Sequence, residues 1–257
     1  MARSGADSVT RTQVAAFQRS GFAAVPRLFD AREIERISSW VDELETSPEI
    51  PGRHWMYFEA SRSEPGKRLL NRIENFAPFH EGLADLCSGE RLLGAVSALF
   101  GGTAVLFKDK INFKLPGGGG FEAHQDAQAG WNTYASLYVT AAVALDPATL
   151  ENGCLELAHW NHRHELIGEL WAPLTDAALS EVEFVAYPMQ PGDALFFDSY
   201  LPHRSAPNAT HERRRVLYIT YNRASEGDQR ARYFADKYAS FPPDCERDPD
   251  KRYEYRV

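Results

Sequence analysis

The first hundred residues carry apolar positions at helical spacing. Residues 10–20 predict a short helix that ends at Gly21, and residues 22–25 predict a strand. Asp30 begins a stronger helix, because apolar side chains recur on one of its faces at Ile34, Ile37, Val41 and Leu44. A helical pattern returns over about residues 80–100 and ends at a glycine pair. This part of the chain is therefore predicted to be mainly helical.

The pattern changes to short apolar runs separated by Gly, Pro, Asn and Asp, which is typical of strands. The predicted strands are Val105 to Leu115, Leu137 to Leu145, Cys154 to Ala158, Ala194 to Ser199 and Arg215 to Tyr221. Helices followed by strands predict an α+β chain with a mainly β core, in which helices buttress a β-sandwich or barrel.

No internal repeat or low-complexity linker divides the sequence, so we expect a single domain over 1–257. Within it we expect a mainly helical buttress and lid over 1–104, a β-barrel core over 105–223 and a docked tail over 224–257. Residues 47–68 contain three prolines among aromatic residues, which predicts a lid or a packed surface loop. The tail is expected to dock through Tyr233, Phe234, Tyr238, Phe241 and Tyr253.

The composition is that of an ordinary globular protein, with 44% hydrophobic and 25% charged residues. The net charge of −8 disfavours a general nucleic-acid or anionic-membrane surface, so the expected partner is a small molecule. Three dispersed cysteines without a CxxC motif favour free thiols in a reducing compartment. The sequence has neither a signal-peptide core nor a membrane-length apolar run, so we expect a cytoplasmic protein. The oligomeric state stays open.

One tripeptide, His124-Gln125-Asp126, carries the strongest chemical signal. If it lies in a strand, alternation directs His124 and Asp126 to the same side, where both could bind one ion. With His203 from downstream they would form the 2-His-1-carboxylate triad that is typical of non-haem Fe(II) oxygenases. A His-x-Asp motif by itself is common, so this hypothesis depends on the surrounding sequence.

The strand before the triad alternates between apolar and cationic positions. One side holds Phe107, Ile111 and Phe113, with Asp109 as an exception, and the other holds Lys108, Lys110, Asn112 and Lys114. An inward cationic face would bind an anion. An edge strand whose lysines face solvent would have the same pattern. The neighbouring triad favours an anion pocket that uses Lys108 or Lys110, with Asn112 alongside.

Arg214 leads into the last predicted strand and could bind a carboxylate with two parallel hydrogen bonds. Arg213 and Arg215 flank it, so its assignment depends on strand register. Two other motifs favour ordinary roles. Gly117 to Gly120 lacks the Lys-Ser/Thr of a phosphate loop and predicts a permissive turn. The histidines of AHWNHRHEL lack a second cluster at structural-zinc spacing and predict a turn after a strand.

Four motifs in this order resemble the phytanoyl-CoA dioxygenase-like branch of the Fe(II)/2-oxoglutarate-dependent oxygenases. They are QRSGFAAVPRLFDAREIERI, KDKINFKLPGGGGFEAHQDA, ENGCLELA and PGDALFFDSYLPHRSAPN. The resemblance implies a double-stranded β-helix, a jelly-roll or cupin-like barrel buttressed by N-terminal helices. It also implies Fe(II), 2-oxoglutarate and O2, with ascorbate as the reductant in vitro.

By this resemblance, iron would be bound by His124, Asp126 and His203. Arg214, eleven residues after His203, would pair with the distal carboxylate of 2-oxoglutarate, which Ser205 would support. Lys108 and Asn112 match positions that contact the cosubstrate or the substrate. Halogenating relatives replace the triad carboxylate with a small residue, so Asp126 implies hydroxylation. Trp160-Asn161-His162 stands where many relatives have Gly-Ser-His.

A closer resemblance is to bacterial hydroxylases of 2-aminoethylphosphonate or its trimethylated analogue, through LFKDKINFKLPGGGGFEAHQDAQAGW, SYLPHRSAPN and TYNRASEGD. Candidate cations for a phosphonate are Lys108, Lys110, Lys114 and Arg72. An ammonium group would suit the aromatic faces of Trp131, Tyr134 or Tyr200, or a carboxylate. The alternatives are a hydroxylase of an amino acid or of a natural-product or carrier-bound intermediate, and a non-catalytic metal- or metabolite-binding barrel.

Overall fold

The computed structural model describes residues 9–253. The helices are α1 Arg11–Ser20, α2 Ala31–Thr46, α3 Glu81–Ser88, α4 Glu90–Phe100 and α5 Arg230–Ser240. The strands are β1 Phe22–Val25, β2 Trp55–Ala60, β3 Arg68–Glu74, β4 Ala104–Lys114, β5 Phe121–His124, β6 Tyr138–Ala144, β7 Leu155–His159, β8 Glu183–Tyr187, β9 Ala194–Asp198, β10 His203–Ser205 and β11 Arg214–Arg223.

The strands form two antiparallel sheets. The larger has the order β1-β9-β6-β11-β4-β3-β2, and the smaller has the order β5-β10-β7-β8. Buried side chains from both sheets pack together, among them Leu157 of the smaller sheet and Phe197 and Val216 of the larger. The opposite face of the larger sheet packs against helices α1 to α4. The chain is therefore α+β with a mainly β core, as predicted.

The predicted N-terminal elements are confirmed at nearly their predicted bounds. Thr10 and Gln13 form a capping box at the start of α1, and Gly21 ends it with a left-handed φ of 78°. Asp30 and Glu33 form the equivalent capping box of α2, whose buried residues are the four predicted from the periodicity. The helical pattern after residue 80 is divided by Gly89 into α3 and α4.

All five strands predicted from the apolar runs are present as β4, β6, β7, β9 and β11. The interpretation of residues 47–68 as a loop was wrong for residues 55–60. Trp55 to Tyr57 are buried in β2, which pairs with β3 and extends the larger sheet beyond β4. The prolines lie outside this strand, so they bound β2 rather than interrupt it.

The sequence did not predict helix α5, which follows the last strand. Its Arg230 pairs with the buried carboxylate of Asp109, and its Tyr233 and Phe234 are buried against an aromatic cluster. Tyr238, which was also expected to dock, is 44% exposed. The helix therefore packs against β4 and carries its own side chains to the interior of the fold.

In the part of the chain that the structure describes, no helix is both long and apolar enough to cross a membrane.

Candidate active site

His124, Asp126 and His203 converge at one end of the smaller sheet. Their ligand-type atoms all lie within 4.8 Å of one another. The two histidines are directly opposed partners of β5 and β10, and their ring centroids are 4.3 Å apart. Strand pairing therefore joins two residues that are 79 positions apart in the sequence.

Asp126 reaches the group by a different route from the one predicted. Strand β5 ends at His124, and Asp126 begins a 3-10 turn over Asp126–Ala129. The residue between them fixes this change of direction. Gln125 is fully buried, and its amide donates to the carbonyls of Glu165 (2.8 Å) and Tyr200 (2.6 Å). Because Gln125 is held on the opposite side, its two neighbours are directed toward His203.

Each histidine is oriented by a backbone carbonyl. Nδ1 of His124 is 2.7 Å from the carbonyl oxygen of Glu122, and Nδ1 of His203 is 3.0 Å from that of Leu201. If each Nδ1 carries the proton, Nε2 keeps its lone pair for a metal ion. The carboxylate of Asp126 lies 3.5 Å from the hydroxyl of Thr140, which in turn bonds Thr220 at 2.9 Å.

The electrostatic surroundings favour the ligating forms of all three residues. Burial, reinforced by His203, lowers the pKa of His124 to about 3, and burial also lowers the pKa of His203. Burial opposes ionisation of Asp126, but His203, when it is protonated, and Lys110 outweigh burial and lower the pKa of this carboxyl. Two neutral imidazoles and one carboxylate fit a divalent iron ion and leave further coordination positions open.

The triad lies on a cavity of about 660 Å³ that opens between the two sheets. Lys108, Lys110 and Asn112 of β4 line it, together with Tyr218 and Thr220 of the neighbouring β11. The inward cationic face predicted for β4 is therefore present, and the edge-strand alternative was wrong because β4 lies between β3 and β11.

Phe107 departs from the predicted alternation. The register between β4 and β11 shifts by one residue at this point, which is a β-bulge. Phe107 consequently packs with Trp131, Tyr138 and Tyr233 and not with Ile111 and Phe113. The aromatic wall of the cavity depends on this bulge.

Arg214 is the first residue of β11 and lies opposite Lys114, the last residue of β4. We call this part of the site its deep end. Its side chain is fully buried, and within residues 9–253 its Nε, Nη1 and Nη2 make no hydrogen bond. Lys114 Nζ donates to Ser205 Oγ at 2.7 Å and to the carbonyl of Ala206. The side-chain oxygen of Asn112 is also buried and without a hydrogen bond among the described residues. The Arg214 guanidinium and the Lys114 ammonium prepare this end of the site to accept an anion, whereas the Asn112 oxygen could accept a hydrogen bond from a ligand donor.

Two glycines allow the chain to approach this end closely. A Cβ at Gly153, where φ is 73°, would lie 1.9 Å from the carbonyl oxygen of Ala206. A Cβ at Gly120 would lie 2.6 Å from the carbonyl oxygen of Ser205. The glycine run therefore forms the turn that was predicted, and Gly120 has a specific role at the Ser205 strand.

The opposite end of β4 holds a second group of charges. Glu74 of β3 is 1% exposed and contacts Arg72, Lys108 and Lys237. Lys108 Nζ lies 5.4 Å from the centre of the Trp131 ring and 5.6 Å from that of Tyr233. Six residues of extended strand, roughly 20 Å, separate Lys108 from Lys114.

Lys110 lies between these two groups, with its Nζ 4.9 Å from the centre of the Tyr218 ring. Burial and the neighbouring Lys108 lower its pKa to about 8, while Asp126 acts in the opposite direction. This side chain is thus the cation of β4 that is coupled most directly to the triad.

Of the remaining predicted substrate residues, two line a cavity and two do not. Trp131 lines the main cavity, and Arg72 lines an adjoining cavity that also reaches His124. Tyr134 and Tyr200 line neither cavity, since their hydroxyls donate to Asp236 and to the carbonyl of Ser136. Their predicted contact with an ammonium group does not fit these positions.

Several residues that line the main cavity were not predicted from the sequence to do so: Thr140, Trp171, Thr220, Tyr233 and Lys237. Thr220 could have been found from its strand parity with Arg214. Tyr233 and Lys237 are four residues apart on one helical face, but the surrounding segment is polar and gave no apolar period.

The turn after β7 brings two further histidines together. His162 and His164 both place Nε2 near the same oxygen of buried Asp198, at 2.6 Å and 3.2 Å. The Asp198 hydrogen bond raises the pKa of His164. These contacts account for the turn by charge-assisted hydrogen bonding, but the three side chains could together also hold a metal ion, so the ordinary role expected for AHWNHRHEL stays a prediction.

Comparison with known proteins gives a consistent result. Residues 17–216 match the model of the phytanoyl-CoA dioxygenase family. The chain is 40% identical over 245 residues to a 2-aminoethylphosphonate dioxygenase from the uncultured bacterium HF130_AEPn_1, covering 95% of this chain and 93% of that one. It is 38% identical over 235 residues to a methylphosphonate hydroxylase from Gimesia maris, covering 91% and 88%. The fold is similar to that of EctD from S. alaskensis, with a TM-score of 0.70, 22% identity and coverage of 85% and 79%.

Proposed function

The chain belongs to the phytanoyl-CoA dioxygenase family and is a dioxygenase that uses non-haem iron and 2-oxoglutarate, and we propose that it hydroxylates a small organophosphonate. In this reaction one oxygen atom of O2 enters a C–H bond of the substrate. The other enters 2-oxoglutarate, which leaves as succinate and carbon dioxide. We also assign the two facing sheets to a double-stranded β-helix.

The observation that supports this function best is the buried guanidinium of Arg214, which has no carboxylate partner among residues 9–253. An uncompensated buried charge costs several kcal/mol, roughly 3–5 when one partner of a buried pair is missing. A carboxylate that bonds it with two parallel hydrogen bonds would remove this cost. We assign this position to the distal carboxylate of 2-oxoglutarate, with Ser205 and Lys114 beside it.

Iron and 2-oxoglutarate, when bound, supply the activation of dioxygen and the oxidative power for C–H cleavage. The side chains of this protein provide the geometry. His124, Asp126 and His203 would hold the metal at the end of the smaller sheet, and Arg214 would fix the cosubstrate from the deep end. Trp131 and Tyr233 form an apolar wall that limits water near the reacting C–H bond.

The substrate class rests on the two relatives together with the cations of β4. Both relatives are named for phosphonates, and they are 40% and 38% identical to nearly the whole chain. A phosphonate needs cationic donors, and Lys108 and Lys110 line the cavity six and four residues along β4 from Lys114, which is the strand partner of Arg214. This placement separates the two anions, with the cosubstrate near Lys114 and the substrate near Lys108.

Succinate release by the Fe(II)-loaded protein under air tests the proposal. The panel should contain 2-aminoethylphosphonate, methylphosphonate, amino acids and acyl thioesters, with ascorbate present. We expect an aminoalkylphosphonate to stimulate succinate formation well above the slow turnover without substrate. Stimulation by an amino acid or a thioester alone would replace the proposed substrate class, and no succinate from an iron-loaded protein would contradict the dioxygenase itself.

The affinity for 2-oxoglutarate is expected to fall as the pH rises above neutrality. Burial and the nearby Arg214 lower the pKa of Lys114 to about 7 in the free protein, so this lysine loses its charge at moderately alkaline pH. A bound carboxylate favours the protonated form, so binding takes up a proton, and Kd rises by up to about tenfold per pH unit above 7.

Calorimetry under anaerobic conditions in buffers of different ionisation enthalpy measures this proton uptake directly. Lys114→Met should abolish most of the pH dependence of the Kd, while Lys67→Met, which removes an exposed lysine paired with Glu64, should retain it.

The same lysine affects the stability of the free protein. In the unfolded chain Lys114 has its ordinary pKa of 10.5, so the unfolded state binds more protons between about pH 7 and 10.5. The contribution of Lys114 to the stability of the free protein should therefore become more favourable across that range. A Kd for 2-oxoglutarate that is constant from pH 7 to 9 would contradict the assignment of Lys114 to the cosubstrate site.

A further inference from the structure

The C-terminal helix carries one lysine into the interior of the fold. Lys237 is seven residues into α5 and only 13% of its side chain is exposed. Its Nζ donates to Oε2 of Glu74, while Arg72 Nε donates to Oε1 of the same carboxylate at 2.9 Å. Lys108 Nζ lies 3.8 Å from Oε1. Three cationic side chains thus surround one carboxylate, so among the described residues this group has more cationic than anionic side chains.

The charged group around Glu74 is shielded from water. Glu74 and Arg72 are 1% and 5% exposed, and Lys108 is 7% exposed. Burial opposes ionisation of Glu74, but Lys108, Lys237 and Arg72 outweigh it and hold the pKa of this carboxyl far below its usual value. Burial, together with Lys108 and Arg72, lowers the pKa of Lys237 well below its usual value despite the partner carboxylate. The cationic neighbours thus contribute to both shifts, and a bound anion would favour the ammonium form of Lys237.

The group opens onto the same cavity as the triad. Lys108 and Lys237 both line that cavity, and Trp131 and Tyr233 line it beside them. The anion site at Arg214 lies at the opposite end of the β4–β11 pair, so one molecule of 2-oxoglutarate bound there would not neutralise this group. A second anion is needed on the substrate side.

We propose that Lys237 of α5 and Lys108 of β4, held by Glu74, form the subsite that binds the doubly charged head group of the substrate. This inference rests on the proposed function and names the residues that select a phosphonate. Glu74 positions the two ammonium groups and is not itself a ligand. Two ammonium groups that line one cavity match a phosphonate dianion better than a carboxylate or a sulfonate, which carry one charge.

The subsite predicts discrimination by charge between molecules of the same shape. 2-Aminoethylphosphonate and 2-aminoethylsulfonate have the same carbon chain and amine, but at pH 8 the phosphonate carries nearly a second negative charge. Wild-type protein should bind the phosphonate more tightly. Lys237→Met should weaken phosphonate binding by about tenfold to a hundredfold, the scale of a lost charge-assisted pair, and affect the sulfonate much less.

Anaerobic calorimetry of the protein loaded with Fe(II) and 2-oxoglutarate measures these affinities without turnover. Arg232→Met is the matched control, because it removes a cation from the same helix whose side chain is 60% exposed and lies outside the group. Lys237→Arg keeps the charge and should bind the phosphonate more tightly than Lys237→Met. The visible absorption that 2-oxoglutarate gives on chelating Fe(II) reports whether each variant still assembles the cosubstrate site.

The possible results separate the two proposals. If Lys237→Met binds 2-aminoethylphosphonate as tightly as wild type, or loses phosphonate and sulfonate equally, the subsite is wrong. If Lys237→Met does not fold, Lys237→Arg decides, because retained phosphonate binding supports a charge role, and an equal loss of phosphonate and sulfonate binding contradicts it. If the wild type binds no organophosphonate, the proposed function fails. Inorganic phosphate then tests the subsite alone, with binding by wild type and not by Lys237→Met as the supporting result.

Discussion

Replacing His203 with alanine is expected to abolish iron-dependent succinate formation. His203 provides one of three ligand-type groups that lie within 4.8 Å of one another, and its ring opposes His124 across the β5–β10 pair. Loss of a residue that only supports a ligand typically lowers metal affinity by about 10–100-fold, so loss of the ligand itself should exceed that range. Metal content after equilibrium dialysis and the rate of succinate release measure the two effects.

His211→Ala is the matched control, because His211 lies on the same β10–β11 connection but is exposed. It should bind iron and turn over as the wild type does. An intact iron affinity in His203→Ala would remove this residue from the metal site. Circular dichroism should show that the variant keeps its strands, since His203 also contacts Phe197 with a ring-centroid distance of 4.8 Å.

Replacing Arg214 with methionine is expected to raise the Kd for 2-oxoglutarate by roughly 30- to 1,000-fold, which corresponds to about 2–4 kcal/mol for a buried charged pair. The same change should not destabilise the free protein. It removes a buried cation whose three nitrogens make no hydrogen bond among residues 9–253, and such replacements are often neutral or stabilising by about 1–4 kcal/mol. Opposite effects on binding and on stability distinguish a ligand-binding role from a structural one.

Arg213→Met serves as the control at the adjacent position. Arg213 is 41% exposed and pairs with Asp42 and Glu45 on the surface of α2, so its loss should leave the affinity for 2-oxoglutarate nearly unchanged. Thermal unfolding of both free proteins and calorimetric titration with 2-oxoglutarate complete the comparison. A Tm of Arg214→Met that falls by many degrees together with unchanged binding would contradict the assignment.

The elements that the sequence predicted correctly are those determined by local pattern. The capping boxes at Thr10 and Asp30 and the apolar face of α2 depend on residues within a few positions of one another. The interpretation of the alternating lysines in β4 depended on whether another strand pairs with its second edge. In the structure β3 does so, but the sequence did not show this pairing, and lysines that face solvent remained a reasonable alternative. Local patterns do not determine which strand becomes an edge.

The features that were missed depend on distant contacts. Strand β2 was not recognised because its burial comes from β3 and from the C-terminal region, where the Tyr57 hydroxyl bonds the carbonyl of Phe241 at 3.0 Å. Helix α5 has a polar sequence because its inward side chains face charges. Arg230 meets buried Asp109 and Lys237 meets buried Glu74, so apolar periodicity could not identify this helix.

In the candidate site, the identity of the metal-binding residues followed from residue types, but the path of the chain did not. Asp126 was expected in a strand and lies in a 3-10 turn, since Gln125 is tied to the carbonyls of Glu165 and Tyr200 from remote loops. Likewise the roles of Lys108 and Lys114 could not be separated by type, and only their positions at opposite ends of one strand distinguish them.

The location of Lys237 has a consequence for how such proteins diverge. The family match covers residues 17–216, which includes the triad and Arg214, and it ends before α5 begins. The proposed subsite therefore takes Lys237 from outside the segment that holds the triad and Arg214. Exchange of this terminal segment between relatives offers a route by which one oxidising scaffold acquires new specificities while its reaction is conserved. Similarity measured over the matched region alone would then group proteins by reaction and leave their metabolic roles undistinguished.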